Sequence, residues 1–156
     1  MENTNDQLVD AWLKVTSVLM NHRMVRSMSF NEAFVCNLLN RRFQEDQDAL
    51  ITATWLCQMT GMLKSQMNKT LNTLEEKKII VRRRSKQDRR KVYLFLQEDQ
   101  IGLYREEHAE VLEFAECLKK QAGEVKIKET VSLLNELADM IQKIEKGETG
   151  WQYRSL

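Results

Sequence analysis

The fold of this chain is decided by residues 51–96, ITATWLCQMTGMLKSQMNKTLNTLEEKKIIVRRRSKQDRRKVYLFL. Apolar residues recur at the helical spacing of three and four through the first half, and Gly61 interrupts them. From Ile79 the period changes to two, on both sides of a polar tip at residues 85–90. The stretch therefore predicts two short helices joined by a turn and followed directly by a two-stranded β-hairpin.

Two helices joined at Gly61 form a helix-turn-helix, and a hairpin behind them makes the winged form of that motif. Thr52 is expected to cap the first helix, and the second is expected over about residues 64–77. Ile51 is expected in a short strand stub. The side chains expected to face inward are Trp55, Leu56, Met59, Met67, Leu71 and Leu74.

Helical periodicity continues on both sides of this motif. An amphipathic helix is predicted over about residues 6–27, and a capping box at Ser29 and Glu32 opens a second helix that ends near Arg42. A long acidic helix is predicted from Gln97, and a last one over about residues 125–146. The regular apolar spacing after residue 98 favours packing against a partner helix.

Positive charge is concentrated in the hairpin half of the motif. The whole chain has a net charge of +1, but residues 61–95 contain eleven Lys/Arg and three acidic residues, a net charge of +8. The segments before and after are acidic. Such a block indicates either a polyanion at one place on the surface or a solvated charged face.

The residues expected to contact DNA lie on the second helix of the motif and on the hairpin. Amide side chains can pair with adenine, lysine can contact guanine or a phosphate, and cations on a projecting ribbon can follow phosphates or enter the minor groove. Asp88, an acid among these cations, is expected to hold a neighbouring arginine in one orientation. The candidates are Lys64, Ser65, Gln66, Asn68, Lys69, Asn72, Arg84, Lys86, Asp88, Arg89 and Arg90.

These residues resemble the winged helix of MarR-type transcriptional regulators. The family's wing signature, D-x-R followed by alternating apolar residues, matches Asp88–Arg90, and the flanking helices extend the resemblance over nearly the whole chain. The sequence departs from the family at Lys78, where a glycine usually ends the recognition helix, and at Leu63, where a Ser or Thr cap is common. Gln97 and Gln100 replace the usual Thr and Gly.

The resemblance implies a mainly α fold with a two-stranded wing and a homodimer formed by helices within residues 6–27 and 98–146. It implies that residues 50–96 bind an operator in double-stranded DNA, with the recognition helix in the major groove and Arg90 in the minor groove. It also implies a small-molecule effector that releases a repressor. The residues expected to line its pocket are Trp12, His22, Met24, Phe30, Trp55 and Tyr104, with Arg23 or Arg26 for an anionic ligand.

Composition bounds the class of protein. With 156 residues, 42% of them hydrophobic, no proline and five glycines, the chain is expected to form a single helical domain over residues 1–156. We expect no membrane span, no signal peptide and a reducing cytosol. The resemblance to MarR-type regulators implies a prokaryotic cytoplasm and association with the nucleoid. No phosphate loop or nucleophile with a base is visible, so neither an enzyme nor a cofactor is expected.

Three alternatives to a ligand-responsive DNA-binding regulator stay open. A winged helix can serve as a protein-interaction module without DNA contacts. A metal sensor would use His22, His108, Cys36 and Cys117, if these residues converge. A thiol sensor would need an accessible, low-pKa thiolate at one of the three cysteines.

Overall fold

The computed structural model describes residues 3–21 and 26–150, apart from the side chain of Leu103. The described helices are α1 (Thr4–Asn21), α2 (Phe30–Glu45), α3 (Ala53–Thr60), α4 (Lys64–Glu76), α5 (Gly102–Ala122) and α6 (Glu124–Glu145). Strands β1 (Ile80–Arg84) and β2 (Val92–Leu96) form an antiparallel hairpin. The predicted fold class, mainly α with a winged helix-turn-helix, is confirmed.

The chain divides within α5, after Val111, into two compact units. The first unit contains the buried core, to which α2, α3, α4 and the hairpin contribute. The second contains the end of α5 and all of α6, and none of its described residues is fully buried. The single domain over residues 1–156 stays a prediction. Among the described residues, no helix is both long and apolar enough to cross a bilayer.

The capping box that opens α2 is confirmed. The Glu32 backbone N–H donates to Ser29 Oγ at 3.3 Å, and the Ser29 backbone N–H donates to Glu32 Oε2 at 3.3 Å. The helix ends at Glu45, beyond the predicted end near Arg42. Arg42 lies 3.6 Å from Glu45 and 3.7 Å from Asp46, and ion pairs at this spacing favour one further turn.

The helix-turn-helix forms as predicted, except that one side chain expected to face inward is exposed. Thr52 Oγ1 accepts from the Trp55 backbone N–H at 3.2 Å, and Gly61 ends α3 with a left-handed φ of 71°, where glycine is favoured. Met59 was expected to face inward but is 49% exposed. The buried side of α3 continues from Leu56 to half-buried Thr60, one turn later, and so bypasses Met59.

The hairpin is joined to the core through its second strand. β1 and β2 pair in a register that places Ile80 opposite Leu96 and Arg82 opposite Leu94. Leu94 also pairs with Ile51, and its backbone N–H donates to the Ile51 carbonyl at 2.9 Å. The predicted strand stub at Ile51 is therefore present. Because Ile51, Ile80 and Leu94 are buried, the base of the wing is fixed to the motif.

Two predicted helix boundaries are wrong. The helix predicted over residues 6–27 is described from Thr4 to Asn21, residues 22–25 lie outside the described residues, and residues 26–28 form a bend, so the helix does not extend to Ser27. There, the Ser27 backbone N–H donates to Glu107 Oε1 at 2.7 Å instead of to a helical carbonyl. The long acidic helix begins at Gly102 rather than Gln97, because the Gln100 N–H donates to the Gln97 carbonyl in a turn.

The end of α4 adopts a Schellman motif without its usual glycine. The Ile79 N–H donates to the Leu74 carbonyl and the Lys78 N–H to the Glu75 carbonyl, both at 2.9 Å. The motif requires a left-handed residue, and Lys78 supplies it with a φ of 59°. A side chain with a Cβ atom is strained in this region, typically by about 1–2 kcal/mol.

We predict that Lys78→Gly raises the free energy of unfolding by about 1 kcal/mol, because glycine relieves this strain. The gain is partly offset because glycine has a larger conformational entropy in the unfolded state. Urea denaturation monitored by circular dichroism measures the change. Gly61→Ala, which places a Cβ at the φ of 71°, is the matched control and should lower stability by a similar amount. A destabilised Lys78→Gly variant would contradict the assigned strain.

Candidate nucleic-acid interface

Helix α4 has one buried and one exposed side. Met67, Leu71 and Leu74 are at most 1% exposed, and they pack into the core. The opposite side is polar, and all six of its residues that were predicted to contact DNA are exposed: Lys64, Ser65, Gln66, Asn68, Lys69 and Asn72. The structure thus brings these six together on one accessible helix surface.

The first turn of α4 is only half capped. Leu63 occupies the N-cap position and has no polar side chain, as its departure from the family pattern implied. Gln66 supplies the other half, because its Oε1 accepts from the Leu63 backbone N–H at 3.2 Å. The Gln66 amide oxygen is therefore engaged, and its NH₂ group is the part left to donate outward.

Arg82 is a residue of this surface that the sequence analysis missed. Its Nη1 donates to Asn72 Oδ1 at 2.9 Å and to Glu75 Oε2 at 2.6 Å. Arg82 thus joins β1 to the exposed side of α4 and occupies the acceptor of Asn72. The period of two in β1 was the signal, since it places Arg82 on the same face as buried Ile80.

The tip of the wing is ordered by Ser85 and Asp88. Ser85 Oγ accepts from the backbone N–H groups of Gln87 and Asp88, each at 3.2 Å. Asp88 Oδ1 accepts from the Arg90 backbone N–H at 3.0 Å. The expected contact between the Asp88 carboxylate and an arginine guanidinium is not formed among the described residues. The carboxylate holds the backbone of the tip instead.

The cations of the wing differ in their surroundings. Arg83 lies over the Phe95 ring, 5.2 Å from its centroid, and Phe95 also stacks on Phe43 of α2 at 6.2 Å. Four other cations of the wing that were predicted to contact DNA are exposed: Arg84, Lys86, Arg89 and Arg90.

Two of the eleven cations in residues 61–95 form ion pairs within the described part of the chain. Arg82 pairs with Glu75, and Lys77 pairs with Glu32. The other nine form no ion pair with a described residue, so their charge is not neutralised locally. A positive surface of this kind attracts a polyanion over several ångströms and is screened by salt.

The pair between Lys77 and Glu32 fixes the end of α4 to the start of α2. Lys77 Nζ lies 2.6 Å from Glu32 Oε2 and donates to the Ser27 carbonyl at 3.3 Å. The Glu32 side chain is 8% exposed, so the charge-assisted bond is largely shielded from water. Ser27 in turn donates from its backbone N–H and its hydroxyl to Glu107 of α5. These bonds form a continuous polar connection from α4 to α5.

A cavity of about 230 Å³ lies between α2 and the first half of α5. Phe30 and Tyr104, two of the residues expected to line a ligand pocket, meet there. Trp55 packs against the core instead, Trp12 is exposed on α1, and Arg26 lies 3.4 Å from Glu110 in an ion pair. Three further residues of that prediction, His22, Arg23 and Met24, lie outside the described residues.

The cysteines differ in accessibility. Cys36 is buried in the core, and burial raises the pKa of its thiol to about 12, with the nearby Glu32 charge adding to the effect. Such a thiol is protonated at neutral pH and is a poor nucleophile. Cys57 is half-buried and Cys117 is exposed. Within the described residues, no group of three His, Cys, Asp or Glu side chains is placed to hold a metal ion.

The winged helix has a known counterpart. A model of the MarR family matches residues 39–91, which include the end of α2, the helix-turn-helix and the wing tip. The MarR resemblance is confirmed. Search of curated proteins found no match.

Solved structures extend the MarR fold beyond the wing. A MarR/EmrR family regulator from Acinetobacter sp. ADP1 is 17% identical, with 91% of this chain and 99% of that chain covered and a TM-score of 0.70. FabT from Streptococcus pneumoniae, solved in complex with DNA, is 22% identical, with coverages of 90% and 96% and a TM-score of 0.62. NadR, solved in complex with 4-hydroxyphenylacetate, is 22% identical, with coverages of 88% and 94% and a TM-score of 0.66. The chain therefore has the fold of a MarR family transcriptional regulator.

Proposed function

We propose that this chain is a sequence-specific, double-stranded DNA-binding transcriptional regulator, a repressor that acts as a homodimer in the cytoplasm. The observation that carries the proposal is the exposed surface formed by α4 and the wing. It carries a row of amide and hydroxyl side chains and six exposed cations that form no ion pair with a described residue: Lys64, Lys69, Arg84, Lys86, Arg89 and Arg90. A binding function of this kind needs no catalytic group or cofactor.

Helix α4 has the features of a recognition helix. Its apolar side is buried, so the helix is held rigidly while Ser65, Asn68 and Lys69 project from its first half. Side chains near the start of a recognition helix contact base edges in the major groove. Asn68 can pair with adenine, whereas Asn72, whose oxygen is held by Arg82, is left as a donor toward phosphates or purine acceptors.

The wing supplies the second set of contacts. Arg89 and Arg90 are exposed at a tip that Ser85 and Asp88 keep ordered, so they lose little backbone freedom on binding. A narrow minor groove concentrates negative potential and attracts arginine. We assign Arg90 to the minor groove and Arg84, Lys86 and Arg89 to neighbouring phosphates. FabT, which shares this fold, was solved in complex with DNA, and this supports a DNA-binding role for the chain.

We predict strongly salt-dependent binding to operator fragments selected from the source genome. If the dimer displaces about 6 to 10 counterions, affinity falls on the order of 10³-fold or more between 50 and 200 mM salt. Fluorescence anisotropy at several salt concentrations measures the slope. Arg89→Ala with Arg84→Ala should make the slope shallower, whereas Lys126→Ala with Lys143→Ala on α6 should leave it unchanged. A flat titration would favour a protein-interaction module instead.

The tip contacts allow the role of Asp88 to be tested by two substitutions. Asp88→Asn removes a negative charge but keeps an oxygen that can accept from the Arg90 N–H, so operator binding should be equal or tighter. Asp88→Ala removes the acceptor and should weaken binding about threefold to tenfold by loosening the tip. Anisotropy titrations at one salt concentration compare both variants with the unsubstituted protein. Weaker binding by Asp88→Asn would indicate instead that the Asp88 carboxylate orients an arginine guanidinium.

Two copies are expected to bind a near-palindromic site. Recognition helices related by a twofold axis contact half-sites about one helical turn apart, roughly 10 base pairs. The apolar surface for a dimer is available on α1 and α6. Large hydrophobic side chains there are about half exposed or more, among them Trp12, Leu13, Val131, Leu133, Leu134 and Met140.

We predict that replacing both Leu134 and Ile141 with Glu disrupts the dimer, because it places unpaired charges in an apolar seam at a cost of several kcal/mol. Analytical ultracentrifugation should detect monomers, with weaker operator binding. Asn135→Glu with Gln142→Glu is the matched control, since it adds the same charges one position along the same helix. If the variant with Glu at 134 and 141 still forms dimers that dissociate no more readily than those of the control, α6 is not part of the interface.

A further inference from the structure

An exposed leucine lies at the start of α4, beside the polar and cationic residues of that helix. Leu63 is 69% exposed and directly precedes Lys64 and Ser65, which are exposed as well. Single exposed leucines are common on protein surfaces, so exposure alone gives Leu63 no role. The informative feature is the position at which this leucine occurs.

That position is one where an apolar residue is unfavourable. Leu63 is the N-cap of α4, and its side chain forms no hydrogen bond that caps the first turn. Serine, threonine, asparagine and aspartate are favoured at an N-cap because their oxygens accept from backbone N–H groups of that turn, and leucine is among the least favoured residues. The chain thus lacks a stabilising bond at the end of α4 that is proposed to meet base edges.

Leu63 takes no part in the core either. Met62 before it is half-buried against the core, and Met67 one turn after it is fully buried. Leu63 itself has an extended backbone, with φ −64° and ψ 149°, and its exposed side chain does not continue the buried stripe that starts at Met67. Neither capping nor core packing therefore accounts for a leucine here.

The backbone around Leu63 is held on both sides. The Leu63 N–H donates to Gln66 Oε1 at 3.2 Å, and the Leu63 carbonyl accepts from the Met67 N–H at 2.9 Å. In the turn before it, the Met62 N–H donates to Thr60 Oγ1 at 3.2 Å. A contact made by the Leu63 side chain would therefore cost little backbone freedom.

We propose that Leu63 determines specificity in DNA binding by packing against the C5-methyl group of a thymine in the major groove. Thymine presents there a methyl group that the other bases lack, and apolar side chains recognise it by contact. Lys64 and Lys69, exposed on the same helix, favour a polyanion over an apolar protein surface as the partner. The inference deepens the proposed function and rests on it.

The size of the effect follows from the burial of one methyl group. Burial of such a group against an apolar side chain strengthens binding about threefold to fivefold. A homodimer makes the contact once in each half-site, so the two contacts together contribute on the order of tenfold.

Operator fragments in which deoxyuridine replaces thymine test the contact, because deoxyuridine pairs with adenine in the same way and lacks only the methyl group. Fluorescence anisotropy compares fragments substituted at one symmetry-related pair of thymines at a time. Substitution of one such pair should lower the affinity of the unsubstituted protein about tenfold, and thymines outside the half-sites should have no effect. If every substituted fragment binds like the thymine operator, Leu63 does not recognise a methyl group.

Two substitutions at the same position assign the effect to Leu63. Leu63→Ser should bind the thymine operator as weakly as the unsubstituted protein binds the deoxyuridine fragment, and it should no longer distinguish the two. Because serine caps α4, this variant should also melt about 2–4 °C higher, so weaker binding would not reflect misfolding. Leu63→Met, which keeps an apolar side chain, is the matched control and should retain the discrimination.

The outcomes separate this inference from the proposed function. If Leu63→Ser still distinguishes thymine from deoxyuridine, the difference arises from DNA shape, and the inference is wrong while the regulator stands. If Leu63→Ser binds the thymine operator with unchanged affinity, the leucine serves a contact other than DNA, and the inference is again wrong. If the unsubstituted protein binds no operator fragment, the proposed regulator is rejected and this inference with it.

Discussion

The burial of Met67, Leu71 and Leu74 on one side of α4 is the constraint on which the rest of the molecular surface depends. Each fully buried side chain of this kind contributes roughly 1.5–3 kcal/mol relative to its exposed state. Rotating α4 about its axis would expose all three and bury Asn68 or Lys69 without partners. The helix therefore has one stable orientation. Burial of its apolar side determines which polar residues face outward.

A helix can also shift along its axis or tilt, and the polar contacts at the end of α4 restrict these movements. Lys77 bonds to Glu32 and to the Ser27 carbonyl, and Arg82 bonds to Asn72 and Glu75. The first contact fixes α4 to α2, and the second fixes it to the wing. Both use a cation from the basic segment, so part of the positive charge serves the fold and the remainder faces outward. Glu32 and Glu75, the acids in these two ion pairs, identify the cations that stabilise the fold.

The sequence predicted local features well because they depend on neighbouring residues. The caps at Ser29 and Thr52, the turn at Gly61 and the change of period at Ile79 each involve residues within about four positions of one another. The contacts of Lys77 with Glu32 and of Ser27 with Glu107 join residues 45 and 80 positions apart. One lysine in a basic run looks like any other, so nothing in the sequence distinguishes the cation that is held internally. The bend at residues 26–28, where a helix was predicted, has the same origin, since Ser27 donates to Glu107.

The exposed apolar residues of α1 and of α6 favour association of two chains. Large apolar surfaces are seldom left in water, and here the described residues of α1 are all exposed and those of α6 include no buried side chain. Mixed apolar and charged residues suit another helix as partner rather than lipid, since α6 contains acids and lysines along its length. A second copy of the same chain offers the same surface by symmetry. The same twofold axis would duplicate the α4 surface, and DNA is itself a twofold-symmetric polyanion. The apolar helices and the basic wing, which lie far apart in the sequence, are thus two requirements of one proposed assembly.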